Sequence, residues 1–232
     1  MYVSLAERIG GPVLEYGIGN GRIALPVARH GLDVVGVDLS RAMLADLRER
    51  LRAEPAEVRR RVRSVRADMR QARLGRRFPL VLCTFNTVLH LYSREDVERF
   101  LARVHAHLTP RGLFVVDMSM PPVDELARGP IRPFTAPRFR HPSAGVVVKN
   151  REYFDYDPVR QILFVSAEFE PVAGGPEQAW TTPLTHRQFF PQEWEALLHY
   201  NGFEVVAIEG DFQGGKFDKS SEVMVWHARR RR

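Results

Sequence analysis

Residues 13–44 read VLEYGIGNGRIALPVARHGLDVVGVDLSRAML. With Pro12 in front, PVLEY is a short apolar run that predicts a buried strand, and the glycine-rich turn GIGNG leads from it into RIALPVARHG. There Ile23, Val27 and Ala28 recur at helical spacing. Pro26 sits near the first turn of that helix, where its missing N–H matters least, and Gly31 suits the C-terminal cap. DVVGVD is β-branched and ends on Asp38, and Ser40 is the expected N-cap of RAMLADLRERLRAE. Strand, helix, strand, helix implies a parallel sheet.

Outward from this block the alternation continues. A weaker strand is expected at 62–67, a stronger one at PLVLCTF (79–85), a helix through REDVERFLARVHAHL (94–108), and a strand GLFVVDM (112–118) after the breaker TPRG. In an open α/β sheet ligands sit beyond the carboxyl ends of the strands, so Glu15, Asp38, Asp68, Asn86 and Asp117 are all expected near one rim. Residues 119–144 then carry six prolines, among them Pro130 and Pro142, and read as a loop crossing that rim. Beyond them VVVKNREYFDYD, RQILFVSAEFEPV and QAWTTPLTHRQFF alternate apolar and polar residues with DPVR and AGGPE as turns, which predicts a three-stranded antiparallel sheet. A helix PQEWEALLHYNG and two closing strands, FEVVAIEGDF and SEVMVWHA, follow. The expected architecture is α/β: a Rossmann-like, mostly parallel sheet with an antiparallel final strand, and a small antiparallel β insertion. Residues 1–118 and 191–232 form the core, and 119–190 the insertion.

The glycine turn narrows the ligand. Glycines 17, 19 and 21 permit positive φ and close approach of a backbone. A dinucleotide fingerprint needs its third glycine where Arg22 stands, and Arg22-Ile23 does not supply the Lys-Ser/Thr of a P-loop. Asp38, ending the second strand, is placed to accept the paired hydroxyls of a ribose, and Asp68 with Met69 can take an adenine amino proton and cover a ring face.

With that turn and both aspartates, the triplet ADM (67–69), FNTVLHL (85–91), LTPRGLFVVDM (108–118), HRQFFPQEWEALLHYNGFEVVAIEGDF (186–212) and SSEVMVWHARR (220–230), the chain resembles class I S-adenosylmethionine-dependent methyltransferases of the small-molecule type. The resemblance implies S-adenosylmethionine as cofactor and methyl transfer by in-line displacement to N or O of a small-molecule acceptor. It places Glu15, Gly17, Ile18, Gly19 and Gly21 at the methionine moiety and Arg22 at its carboxylate. Asp38 would hold the ribose, Leu39 and Met43 would line the adenine side, Asp68 and Met69 would define the adenine pocket, and Phe85 and Asn86 would lie under the sulfonium. His90 and His186 are the candidate bases, since imidazole titrates near neutrality. The insertion would cap the substrate or make a homodimer contact, as in similar sugar N-methyltransferases. Related chains carry a longer segment ahead of strand one; here about a dozen residues precede it, with Tyr2 or the 119–144 loop as the expected cover.

Composition excludes other classes. Cys83 is the single cysteine, so there is no disulfide framework or Cys/His zinc site, no metal ligands are expected, and a reducing cytoplasm is the expected compartment. MYVSLAERIGGPVLE carries acidic Glu7 and no apolar run of signal-peptide length, and no apolar stretch of about 20 residues could span a bilayer, so neither secretion nor membrane insertion is expected. Lysine plus arginine number 34 against 28 acids, for a net charge of +6. Nine arginines fall between Arg59 and Arg77, and four form the tail Arg229–Arg232, which reads as a loose end. Those segments keep an RNA-modifying methyltransferase as an alternative, beside a non-catalytic binder of the cofactor. With no aromatic interleaving they speak against nucleic acid, and at most for an anionic acceptor drawn towards the rim.

Overall fold

A computed structural model describes residues 1–127, 133–141, 144–174 and 178–231. Pro130, Pro142, most of the AGGPE turn and Arg232 lie outside them. The chain divides into two units, Met1–Met120 with Phe190–Arg232, and Pro121–Phe189.

In the first unit, strand β1 (Val13–Tyr16) is buried along its whole length because parallel neighbours flank it on both sides, β2 (Val34–Asp38) and β4 (Phe78–Cys83). The sheet has seven strands in the order β10-β11-β5-β4-β1-β2-β3, adding β3 (Val62–Arg66), β5 (Leu108–Ser119), β10 (Phe203–Glu209) and β11 (Val223–Arg230). All pairings from β3 to β5 are parallel, and β11 runs antiparallel to both β5 and β10. The expected parallel sheet with an antiparallel final strand is thus present.

Alternation of side chains assigns the two faces. Val13, Leu80, Leu82, Leu113 and Val115 join a cluster with residues of α1 (Tyr2–Ile9), α2 (Ala24–Arg29) and α3 (Arg41–Arg52). On the alternate positions Tyr16 and Phe114 meet Phe100 of α5 (Arg94–His107), with ring centroids 5.2 and 6.1 Å apart, and Phe203 stands 5.8 Å from Phe114. Edge and tilted ring pairs of this kind add about 0.5–1.5 kcal/mol each beyond burial. Ser40 caps α3 by accepting the Met43 N–H, as read from the sequence, and Ser93 caps α5 from Asp96. Helix α4 (Ala56–Arg61) precedes β3, and α7 (Pro191–Tyr200) precedes β10.

Three expectations are corrected here. Strand β5 starts at Leu108, because Thr109 to Gly112 continue the strand with a register shift against β4. As far as it is described, the arginine tail is no loose end: Arg229 and Arg230 belong to β11, the Arg231 N–H donates to the Gly202 carbonyl, and its guanidinium contacts His199. Among its described residues the second unit holds four strands, in the order β6-β7-β8-β9. The strand beyond the expected three, β6 (Phe134–Arg140), comes from the proline-rich stretch, which also holds the short helix α6 (Val123–Leu126). Pro137 is tolerated because β6 is an edge strand whose register shifts between Ala136 and Phe139.

The remaining strands of that unit are β7 (Val147–Asp157), β8 (Ile162–Pro171) and β9 (Trp180–Arg187), all antiparallel. Ion pairs from Lys149 and Arg151 to Glu170, and from Arg151 to Glu168, fasten β7 to β8 across one face. His141, Phe169 and Trp180 form an aromatic cluster.

Candidate active site

The turn after β1 is shaped by two backbone bonds to β2: the N–H groups of Gly17 and Ile18 both donate to the Val37 carbonyl. Gly17 lies at φ +72°, and a Cβ there would overlap the Thr87 side chain. Ile18 is buried with its side chain over Gly36, where no larger residue fits. Gly19, at φ +53°, brings its N–H to Oδ2 of Asp38 at 2.8 Å, while Oδ1 accepts the Ser40 N–H at 2.8 Å. The Asp38 carboxylate is therefore held rigidly at the end of β2, each oxygen keeping a lone pair for a ligand.

These groups open on a cavity of about 820 Å³ at the carboxyl ends of β1 to β4, lined also by Glu15, Arg22, Leu39, Met43, Asp68, Met69, Phe85 and His90. Ser40, Arg70, Thr84, Thr87 and Tyr92 also face it. Leu39 and Met43 are 60% and 42% exposed, an apolar surface beside the Asp38 carboxylate.

Glu15 is the unusual group. It is 2% exposed; Thr84 Oγ1 donates to its Oε1 at 3.4 Å, and Oε2 has no hydrogen-bond partner among the described residues. Burial pushes its carboxyl up to about 8, against the weaker pull of the Thr84 and Ala24 hydrogen bonds. An orphaned carboxyl on a cavity wall is a site for a cation or a donor.

At the far end Arg70 grips Asp68 through Nε and Nη2 and reaches Asp96 through Nη1 at 2.5 Å. The Arg70 hydrogen bonds hold the Asp68 carboxyl below the usual carboxylate range.

After β4 the chain turns sharply. Phe85 and Asn86 both take left-handed conformations, φ +54° and +62°, before a 3-10 turn Thr87–His90. The Phe85 ring stands in the cavity wall with the Arg22 guanidinium 4.5 Å from its centroid. His90 lies beside Tyr92, its Nδ1 3.4 Å from the phenol oxygen.

Three residues assigned with the others stand apart. Gly21 does not line the cavity; at φ +84° a Cβ would meet Leu47 at 2.6 Å and Leu25 at 3.1 Å, so it lets α2 approach α3. Asn86 faces a neighbouring cavity, its carboxamide taken by the Ser119 N–H at 2.7 Å and hydroxyl at 3.0 Å. His186 lies on β9 in the other unit. Sequence reasoning named no role for Thr84, Arg70 or Asp117. Only Asp117, as a carboxylate ending an apolar strand, carried a signal. Among the described residues no three His, Cys, Asp or Glu side chains group as a metal site, and no helix is long and apolar enough to cross a membrane.

Comparison with known proteins bears on this cavity. Residues 13–112 match the model of a methyltransferase domain. A dTDP-3-amino-3,6-dideoxy-alpha-D-glucopyranose N,N-dimethyltransferase of Streptomyces fradiae is 34% identical over 105 residues, 45% of this chain and 38% of that protein. A glycine/sarcosine N-methyltransferase of Aphanothece halophytica is 27% identical over 225 residues, 90% of this chain and 72% of the other. The match to the first thus spans well under half of that relative's length. Among solved structures, the CcbJ methyltransferase from Streptomyces caelestis superposes with a TM-score of 0.88 at 28% identity, covering 99% of this chain and 88% of that one. The glycopeptide N-methyltransferase MtfA complexed with S-adenosylmethionine gives 0.66 at 26% identity, covering 99% and 92%.

Proposed function

We propose, since the chain belongs to the class I S-adenosylmethionine-dependent methyltransferases, that it transfers a methyl group to the nitrogen of a small-molecule amine. The observation that carries the reading is the cavity at the ends of β1 to β4, which has one polar group for each polar part of that cofactor. Glu15, buried with Oε2 unpartnered, suits the ammonium, and Arg22 the carboxylate. Asp38, fixed by two backbone N–H groups, suits the ribose diol. Leu39, Met43 and Met69 suit the purine faces, and Asp68 its amino group. Phe85 is assigned the sulfonium end. Gly17, Ile18 and Gly19 form the floor that lets the ligand reach Glu15, while Gly21 supports that floor by packing.

When bound, the cofactor supplies an electrophilic methyl on a sulfonium that departs as a neutral thioether. What the protein adds is position, plus a group to take the proton that the acceptor nitrogen gives up. His90, on the same cavity wall, is the base we favour over His186 on β9. Nitrogen is preferred to oxygen because the named relatives, from Streptomyces fradiae to Aphanothece halophytica, are N-methyltransferases. The 121–189 unit is assigned as substrate cap or dimer contact, and the cytoplasm as compartment.

Equilibrium dialysis with labelled S-adenosylmethionine, followed by a panel of small amines and alcohols scored for S-adenosylhomocysteine, tests the reading. Saturable cofactor binding with turnover on amines is expected. A flat titration at millimolar cofactor would refute the methyltransferase assignment, and turnover confined to alcohols would refute the choice of nitrogen.

A further inference from the structure

A second cavity, of about 800 Å³, adjoins the first within the same unit and shares Phe85 with it. Its floor is the end of β5, with Asp117 and Ser119, and its outer wall is the connection between β10 and β11, residues 210–222. Four carboxylates line it, Asp117, Asp211, Asp218 and Glu222, against the single ammonium of Lys216. Its aromatic part is Phe85 stacked with Phe212, centroids 6.4 Å apart and planes at 27°.

The outer wall is built to hold those charges. Oδ1 of Asp211 accepts the N–H groups of Gln213 at 2.7 Å and Gly215 at 2.8 Å, and Gly215 has no room for a Cβ beside that carboxylate. Oδ1 of Asp218 accepts the Ser220 N–H at 2.9 Å and its hydroxyl at 2.6 Å. The loop is anchored by an antiparallel backbone β-bridge between Glu209 and Lys216 and by the Gly210 N–H donating to the Gly215 carbonyl. Hydrogen bonds from N–H and O–H groups favour the ionised form of an acid, so Asp211 and Asp218 keep their charge at neutral pH.

We propose that this second cavity is the acceptor site and that it recognises its ligand as a protonated amine, held between the Phe85–Phe212 pair and the carboxylates of the β10–β11 connection. The proposal rests on the methyl-transfer reading above and narrows its substrate class. With the Arg22 guanidinium already over the Phe85 ring, the Phe212 ring and the carboxylates are what attract an ammonium, and the carboxylates repel a carboxylate or phosphate brought to this end. Phe85 puts such an amine next to the cavity assigned to the cofactor.

The test uses the full chain loaded with S-adenosylhomocysteine and three probes of one shape: benzylamine, benzyl alcohol and benzoate, followed by saturation-transfer NMR at pH 7 and 150 mM salt. Benzylamine is expected to bind at least fivefold more tightly than the alcohol, and benzoate to give no signal. In a D211N/E222Q variant, whose amides keep the acceptor oxygens of the loop, the preference for the amine should fall to less than twofold; F212A should weaken amine and alcohol alike. Equal binding of amine and alcohol, or an amine preference untouched in D211N/E222Q, would overturn the proposal. Labelled S-adenosylmethionine dialysed against the same variants separates the two readings. If the amine preference holds while no cofactor binds, the methyltransferase assignment fails and the cation site stands; if cofactor binds and the preference is absent, only the cation site fails.

Discussion

The phenol of Tyr2 donates a hydrogen bond to Oδ2 of Asp117, tying the first turn of α1 to the end of β5 across 115 positions of sequence. Oδ1 of the same carboxylate accepts the Phe85 N–H at 2.9 Å, and the Tyr2 ring stands 6.3 Å from that of Phe212. One buried carboxylate therefore fixes the N-terminal helix and the left-handed turn that carries Phe85, and Tyr2 adds a contact to the β10–β11 connection. Burial pushes the Asp117 carboxyl up to about 6, with hydrogen bonds from the Tyr2 phenol and the Phe85 and Asn86 backbone pulling the other way. Burial and that carboxylate push the Tyr2 phenol up, which keeps it the donor.

Removing the donor exposes the cost of the buried acceptor. Y2F is expected to lower unfolding free energy by about 1–3 kcal/mol, the penalty for stranding a buried polar group, and to raise the Asp117 carboxyl further. Urea unfolding of Y2F against wild type measures it. A variant as stable as the parent would show that Tyr2 contributes packing only.

Glu15 makes stability fall as pH rises. Its carboxyl releases a proton near 4.5 when the chain is unfolded but near 8 when folded, so between those values the folded state holds the extra proton and loses ground with each step upward in pH. His105, His107 and His227, kept neutral by burial, act in the opposite sense as pH drops below about 6.5. The difference between wild type and E15Q isolates the carboxyl. Thermal unfolding at pH 5, 6.5 and 8 should show wild type losing stability relative to E15Q across the series. Cofactor affinity should move the other way, strengthening towards pH 8 in wild type alone, because an ammonium favours the ionised carboxylate. Parallel curves for the two proteins would contradict the assignment of Glu15.

Asp38 should matter to binding more than to folding. D38A removes a charged acceptor worth about 1.5–3 kcal/mol per hydrogen bond, so the Kd for S-adenosylmethionine is expected to rise at least tenfold by calorimetry. An unchanged Kd would place the ribose elsewhere.

Asn86 allows backbone and side chain to be separated. At φ +62° an alanine carries a left-handed cost of about 1–2 kcal/mol, which glycine does not. N86G loses the Ser119 bonds alone, and N86A loses them and strains the turn. Chemical unfolding should rank wild type above N86G and N86G above N86A. Equal stability of the two variants would mean that the turn relaxes out of its left-handed conformation.

Much of this was legible in the primary structure where the physics is local. The strand and helix alternation, the Ser40 cap and the carboxylates at the carboxyl ends of β1, β2 and β3 follow from periodicity and from side chains acting on residues two to four positions away. What escaped depends on distant partners. Pro137 argued for a loop at 134–140, but pairing with β7 makes it an edge strand. Gly21 looked like part of a ligand cradle because the need for its missing Cβ is set by Leu47, on another helix. Asn86 likewise faces a different cavity because Ser119 of β5 holds its carboxamide. Tyr2 and Asp117 each stood out in the sequence, but their bond did not, since only the sheet brings residues 115 positions apart together.

Six of the nine arginines at 59–77 have partners within the fold, which weighs against the nucleic-acid alternative. Arg61 pairs with Asp33 at 3.2 Å and Arg60 with Glu57 at 3.4 Å, while Arg70 is shared by Asp68 and Asp96. Arg59 and Arg66 donate to the carbonyls of Glu54 and Leu39, and Arg76 lies over the Phe78 ring at 5.2 Å. A guanidinium already facing a carboxylate contributes little to counterion release on binding a phosphate backbone. Fluorescence anisotropy with a labelled 20-nucleotide RNA should therefore show weak binding at 50 mM salt that vanishes by 200 mM. Submicromolar, sequence-dependent binding that survives 200 mM salt would restore the RNA-modifying reading.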